Sequence, residues 1–152
     1  MSEELDKNDL RILSLLQKNS KIGYKRLSKI LDMPTSTIHN RVQRLVEKGV
    51  IKNYIVVLNE EALGYTHIAI IGVETGPQFY KAVASSLSEI PEVVEVYGTT
   101  AQYDLMIKIK TNSRNHLSET IDTVRNIKGV NDINIASVLE VFKEKYTLPI
   151  ES

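Results

Sequence analysis

The sequence predicts an α+β protein in two parts, because hydrophobic periodicity and charge change together along the chain. Residues 1–52 repeat apolar side chains at helical spacing, and later segments alternate apolar and polar residues as strands do. Residues 1–52 carry eleven Lys and Arg against six Asp and Glu, a net charge of +5, although the 152-residue chain is neutral. The other residues carry 8 basic and 13 acidic side chains, a net of −5. This asymmetry indicates two modules with different partners.

Composition excludes several classes of protein. Hydrophobic residues make up 42% and charged residues 25%, as in an ordinary globular protein. The apolar runs are far shorter than the roughly 18 residues that a membrane span needs, and the acidic, polar N-terminus is no secretory signal. We therefore expect a cytoplasmic protein with no membrane partner. Cysteine is absent, and His39, His67 and His116 fall in different predicted elements, so neither a metal site nor a catalytic site is expected.

The N-terminal part is predicted to contain three helices. The first spans Lys7 to about Lys18, with Asp6 as N-cap and Asp9 at position N3. The second follows Gly23 and ends near Leu31, before a break that contains Pro34. The third spans Thr35–Lys48, and its buried stripe is Ile38, Val42 and Leu45. A supporting helix followed by two short helices with a tight turn is the helix-turn-helix pattern.

The third helix leaves short polar side chains opposite its buried stripe. Asn40 and Gln43 can each pair with adenine, and Arg44 can contact guanine or phosphate. Basic residues of the second helix lie where this motif crosses the DNA backbone. The predicted DNA-binding residues are Lys25, Arg26, Thr35, Ser36, Thr37, His39, Asn40, Arg41, Gln43 and Arg44. A solvated polar helix face is the alternative interpretation. Residues 50–58 are predicted to form a strand that leaves the motif.

The C-terminal part contains an internal repeat. The pattern Ile-x-x-Val-x-x-[Val/Ile] begins at Ile90 and again at Ile127, 37 residues later. Each copy follows an amphipathic helix, and each helix follows a strand, near residues 67–73 and 104–110. The order β-α-β-β-α-β predicts the ferredoxin-like plan, with two helices on one face of a four-stranded antiparallel sheet.

The second face of this sheet is also predicted to be covered. Residues 68–71 are all apolar, and the last strand, predicted to run to Phe142, is apolar on both faces. Two helices can cover only one face, so the other is expected to meet the same face of a second subunit. A homodimer would also present two helix-turn-helix units to the half-sites of a near-palindromic DNA.

These residues carry a family resemblance over nearly the whole chain. The sequence resembles the Lrp/AsnC (feast/famine) transcription regulators in the stretches Leu5–Leu13, Ser36–Leu45, Gly49–Tyr54, Tyr103-Asp104 and Ser137–Leu139. The resemblance implies a winged helix-turn-helix domain followed by a ferredoxin-like βαββαβ (ACT-like) sensing domain. It also implies double-stranded promoter DNA as partner and dimers that often assemble into tetramers or octamers. The expected boundaries are 1–52 for DNA binding, 53–64 for a connecting strand or linker, and 65–152 for effector binding and oligomerisation.

The resemblance further implies an amino-acid effector, the only small ligand expected. In this family the effector binds near the loop between the second and third strands of the sensing domain. A zwitterion's carboxylate suits successive backbone N–H groups, and its ammonium suits a fixed carboxylate such as Asp104; the alternative for Asp104 is a strand-start residue that satisfies its own turn. The implied effector residues are Thr99, Thr100, Ala101, Gln102, Tyr103, Asp104 and Ser137.

Three positions depart from the family pattern. Ala101 and Gln102 stand where the family usually has Gly then Asp, which narrows the expected pocket and removes a negative charge. Pro34 stands where the family often has Ser, so Thr35 or Ser36 is expected to cap the third helix.

Two alternatives to an amino-acid-responsive regulator remain at the sequence level. The first is an effector-free DNA-binding protein, for example an architectural protein with little sequence preference. An enzyme similar to the siroheme decarboxylases, which share this domain arrangement, is the second alternative.

Overall fold

The computed structural model describes residues 5–150, and these form two compact units. The first unit contains the described residues up to Val57 together with those from Lys143 onward, and the second is Leu58–Phe142. The helices and strands, in chain order, are α1 (Lys7–Lys18), α2 (Tyr24–Leu31), α3 (Thr35–Glu47), β1 (His67–Thr75), α4 (Tyr80–Ser88), β2 (Val93–Gly98), β3 (Leu105–Thr111), α5 (Arg114–Arg125) and β4 (Val130–Ser137). The predicted boundaries 1–52, 53–64 and 65–152 stay a prediction. The division into units places the segment after Phe142 with the first unit.

The first unit is the predicted three-helix arrangement. The Asp6 side chain accepts a hydrogen bond from the Asp9 N–H and the Asp9 side chain accepts one from the Asp6 N–H, so a capping box starts α1. Asp32 ends α2 in the left-handed conformation, with φ of 53°. The core is made of one apolar stripe from each helix: Ile12, Leu16, Leu27, Leu31, Ile38, Val42 and Leu45. These side chains are at most 6% exposed, so the packing of α1 and α2 fixes the position of α3.

The expected cap of α3 is wrong. Pro34 is the N-cap residue, and no side chain accepts a hydrogen bond from the first turn of the helix. Thr35 and Ser36 lie inside the helix, where they cannot take the N-cap position. Proline still suits the start because its ring fixes φ, here −55°, and because an N–H at this position needs no helical partner.

The second unit is the predicted βαββαβ fold. Its four-stranded antiparallel sheet has the order β2-β3-β1-β4, with α4 and α5 packed on one face. In the register of the central pair, Ala69, Ile71 and Val73 lie opposite Ile109, Ile107 and Leu105, and all six are buried towards the helices. The internal repeat therefore corresponds to the two helix-to-strand connections of the fold.

One predicted strand is missing from the structure, and another is shorter than predicted. No ladder pairs residues 50–58 with any other part of the described chain, although Tyr54, Ile55, Val56 and Val57 favour strands by type. The last strand ends at Ser137 rather than continuing to Phe142. In both cases the residues suit a strand, but beyond the Val138 N–H, which donates to the Ile68 carbonyl over 2.9 Å, no strand of residues 5–150 pairs with them.

Candidate DNA-binding face and effector loop

The outward face of α3 carries the polar side chains that the sequence predicted. Ser36, His39, Asn40 and Gln43 are exposed, as is Thr35 at the helix start, and Thr37 is half-buried. The Gln43 amide donates to a Glu47 carboxylate oxygen over 3.0 Å, one turn further along. The His39 ring meets the Tyr24 ring edge-on, with centroids 5.6 Å apart, so α2 supports that side chain. This face is free of core packing and has the donors and acceptors that base edges require.

The helix that precedes α3 in the motif carries exposed cations. Lys25, Arg26 and Lys29 are exposed, and Lys21 is exposed just before the helix. Across the described range 5–150, no ion pair joins any of these four side chains to a carboxylate. They therefore give the unit a positive surface that can meet phosphates.

Arg41 and Arg44 have partners that the sequence analysis did not predict. Arg41 Nη1 lies 2.6 Å from Asp6 Oδ2 and 2.8 Å from Asp9 Oδ1, and Arg44 Nη2 lies 2.7 Å from Asp9 Oδ2. The carboxylates of Asp6 and then Asp9 raise the pKa of Arg41. The hydrogen bond from the Asp9 N–H, followed by that from Arg41, lowers the pKa of Asp6. Both arginines thus join α3 to the start of α1.

The loop between β2 and β3 contains six of the seven implied effector residues. The Thr99 N–H donates to the Asp104 carbonyl over 3.0 Å, and the Thr99 hydroxyl donates to the Tyr103 carbonyl over 2.5 Å. The Ala101 N–H reaches Thr99 Oγ1 at 3.4 Å. Asp32 is the one non-glycine residue with positive φ among the described positions, so Ala101 needs no left-handed backbone. The loop is closed by its own hydrogen bonds without a glycine at that position.

Asp104 braces the sheet at this loop. Its Oδ2 accepts from the Thr75 N–H over 2.9 Å, which joins the end of β1 to the start of β3. Within residues 5–150, Oδ1 has no hydrogen-bond partner. The structure therefore gives Asp104 a strand-bracing role and leaves one carboxylate oxygen for another donor.

Ser137 is not near this loop within one chain. Ser137 pairs with Ala69 in the β1–β4 ladder, six residues along β1 from Thr75, a separation of about 20 Å at strand spacing. The Tyr103 side chain lies against Gly72 of β1, where a Cβ would overlap the ring. Six implied residues are thus brought together at one end of the sheet, and the seventh lies towards the other end.

The second unit also contains a cavity beside its two helices. An open cavity of about 450 Å³ lies between α4 and α5, where His116 Nε2 is 2.8 Å from Glu92 Oε1, and it includes none of the implied effector residues. No group of three or more His, Asp or Glu among residues 5–150 could hold a metal ion. None of the helices in that range is long and apolar enough to cross a membrane.

A basic helix-turn-helix unit joined to a βαββαβ unit defines a class of two-domain DNA-binding regulators. Two family models divide the chain in the same way: "Winged helix-turn-helix DNA-binding" matches residues 5–52, and "Lrp/AsnC ligand binding domain" matches residues 68–148. The HTH-type transcriptional regulator FL11 of Pyrococcus furiosus is 43% identical, over 97% of each chain. The HTH-type transcriptional regulator Ptr1 of Methanocaldococcus jannaschii is 32% identical, over 96% of this chain and 99% of that one.

Solved structures agree with the sequence comparisons. A transcriptional regulator of Neisseria meningitidis in complex with L-Met superimposes with a TM-score of 0.89 at 27% identity, covering 96% of this chain and 97% of that one. Escherichia coli AsnC gives a TM-score of 0.88 at 26% identity, covering 95% and 98%. The chain belongs to the Lrp/AsnC family of transcriptional regulators. It is a DNA-binding regulator with a ligand-binding domain, and the decarboxylase-like alternative is not retained.

Proposed function

We propose that this protein is a sequence-specific regulator that binds near-palindromic promoter DNA as a homodimer. The observation that carries the proposal is the outward face of α3, where Asn40 and Gln43 are exposed beside the unpaired cations of α2. In a helix-turn-helix the second helix of the motif enters the major groove, and the helix before it crosses the backbone. Asn40 and Gln43 then read bases, and Lys25 and Arg26 bind phosphates. Promoter binding of this kind takes place in the cytoplasm.

Exposed apolar surface supports self-association. Ile70 on the helix-free face of the sheet is 40% exposed, Val56 is 73% exposed, and Leu139 and Phe142 are 98% and 89% exposed. Exposed apolar surface of this kind is a common mark of a protein–protein contact. A second copy that covers the sheet face and pairs with the extended segments would bury it under twofold symmetry. Two DNA-binding units would then reach half-sites about one helical turn, or a multiple of it, apart. Dimers of this kind can assemble further into tetramers or octamers.

Selection of bound duplexes from a random DNA library tests this function. A symmetric consensus with two half-sites supports a sequence-specific dimer. A selected pool that stays random, with similar affinity for every duplex, indicates an architectural DNA-binding protein instead. Absence of any retained DNA contradicts both.

The proposed effector is an amino acid bound at the loop of residues 99–104. The relative solved with L-Met supports this proposal, as does the free Oδ1 of Asp104, which can accept from an ammonium group. A site that also used Ser137 would need that residue from another subunit, because the two regions are separated within one chain. An effector bound between subunits would change assembly or the spacing of the DNA-binding units.

Isothermal titration against the twenty amino acids tests the effector proposal. Binding that is lost in the Asp104→Ala variant supports it, with Asp132→Ala, an exposed aspartate on β4, as the matched control. No heat from any amino acid at millimolar concentration would instead identify an effector-free regulator.

A further inference from the structure

We infer that Asp9 is the positioning residue of the DNA-binding unit: it holds Arg41 and Arg44 so that they fix α3 and do not bind phosphates. The inference rests on the proposed DNA-binding function and reassigns two of the cations predicted to contact DNA. Asp9 itself lies on α1, on the side that packs against the core, and does not reach the outward face of α3.

Because Asp9 is buried, its carboxylate needs cationic partners. Its side chain is 0% exposed, and a buried carboxylate is costly unless it is paired and hydrogen-bonded. Asp9 Oδ1 accepts a hydrogen bond from Arg41 Nη1 over 2.8 Å. Asp9 Oδ2 accepts one from Arg44 Nη2 over 2.7 Å and one from the Asp6 N–H over 3.3 Å. Both cationic partners come from α3, so the carboxylate depends on the recognition helix for its compensation.

The ion pairs among Asp6, Asp9, Arg41 and Arg44 join the start of α1 to α3, with two residues on each side. Arg41 and Arg44 lie one turn apart on α3, and Asp6 and Asp9 lie one turn apart at the start of α1. Contacts at both turns fix the rotation of α3 about its own axis as well as its position along α1. That rotation decides whether Asn40 and Gln43 point outward, away from the core.

The same contacts offset the charges of both arginines with carboxylates, even though the Arg44 side chain is 43% exposed. Arg41 bridges two carboxylates, its side chain is 23% exposed, and its Nε is buried without a partner among the described residues. Because the cluster holds two cations and two anions, it is neutral. The net charge of +5 in residues 1–52 therefore comes from the remaining side chains, of which Lys25, Arg26 and Lys29 lie exposed on α2.

Asp9→Asn tests the positioning role through an effect of opposite sign on two DNA probes. The probes are a random-sequence duplex and the duplex that the wild-type protein selects from a library. Freed arginines meet phosphates, so binding to the random duplex should tighten, and its salt slope should steepen by about 0.9 for each new contact. Binding to the selected duplex should weaken by about tenfold, because α3 is no longer held in the orientation that reads bases. A purely structural role for Asp9 would weaken both.

Asp32→Asn is the matched control. It removes one negative charge from the same unit, at a left-handed position that Asn accepts and that carries no ion pair among residues 5–150. If Asp9→Asn and Asp32→Asn bind both duplexes alike, the inference is wrong.

A second set of variants tests the arginines directly and does not require Asp9→Asn to fold. Arg44 has a 43% exposed side chain and one ion pair, so Arg44→Gln should stay folded by circular dichroism. Its salt slope on the random duplex should equal that of the wild type, whereas Lys25→Gln should lower the slope by about 0.9 for each subunit bound. Equal losses of slope in the two variants would overturn the inference. If the wild type bound neither duplex, the proposed function itself would fail, which is a different result.

Discussion

Asp6 and Asp9 show which roles of an aspartate the sequence predicts and which it does not. The sequence predicts Asp6 as the N-cap and Asp9 at N3, and the structure confirms both positions and shows that the two side chains form a capping box. The ion pairs to Arg41 and Arg44 were missed because 32 to 35 residues separate the partners. A signal was present: Asp9 stands at i−3 and i−7 from Ile12 and Leu16, on the buried face of α1. An acidic side chain on a buried stripe requires a cation from another element.

Asn40 and Gln43 are expected to carry base recognition. Each change to Ala should weaken binding to the selected duplex by about 1–3 kcal/mol and spare binding to random DNA, because only a base contact depends on sequence. Competition gel shifts with both duplexes measure this difference. Asn115→Ala, an exposed asparagine of α5, is the matched control and should change neither affinity. Equal losses on random DNA would remove the base-reading role.

The lowered pKa of Asp6 predicts acid sensitivity of the first unit. A carboxyl whose pKa is lower in the folded than in the unfolded state contributes stability above its unfolded pKa. For Asp6 that contribution is lost as the pH falls below its ordinary value of 3.8 and through the lowered pKa. Thermal unfolding between neutral and acid pH measures the effect, which is small because the side chain is 49% exposed. Asp6→Asn should flatten this part of the profile, and an unchanged profile would contradict the prediction.

At the scale of elements, the sequence predicts helices and paired strands better than isolated strands. A helix satisfies its own backbone, so apolar spacing and caps were enough to place α1, α2 and α3 within a residue or so. A strand needs a neighbour that its own residues cannot specify. Residues 50–58 and residues 139–142 have strand-forming side chains, but the described chain provides no strand that pairs with them. The same residues are among the most exposed apolar side chains, which is why they enter the proposal for self-association.

The core stripe of α2 is expected to dominate the stability of the first unit. Leu27 is 0% exposed and lies among side chains of all three helices, so Leu27→Ala should lower the free energy of unfolding by about 2–5 kcal/mol. Urea titration with a probe of helix content measures the loss. Ile30→Ala is the matched control, because Ile30 lies on the same helix but is 47% exposed and should cost far less. Similar losses in both variants would indicate that Ile30 is covered in solution.

At the scale of the whole molecule, the distribution of charge matters more than its total. A neutral chain would ordinarily argue against a nucleic-acid partner. Here +5 lies in residues 1–52 and −5 in the remainder, and the family models divide the chain near the same place. The sequence predicts this division because charge is additive along the chain. It does not predict the partners of individual charges, because these depend on the folded arrangement.

The helix-free sheet face is expected to be the centre of the subunit interface. Ile70 points away from the helices and is 40% exposed, so Ile70→Glu should leave the fold intact but place a charge in the interface. Sedimentation at micromolar concentration should show a dimer for the wild type and a shift towards monomer for the variant. Ile30→Glu, at a comparably exposed position on α2, should not change the mass. A wild-type monomer would refute the interface.

The chain returns to its first unit after completing the second. The Gln17 side chain donates to the Leu148 carbonyl over 2.8 Å and accepts from the Leu148 N–H over 2.9 Å, across 131 residues of sequence. During synthesis, all of Leu58–Phe142 emerges from the ribosome before Leu148 is available to Gln17. The two hydrogen bonds between Gln17 and Leu148 therefore form only after the whole βαββαβ unit has been synthesised.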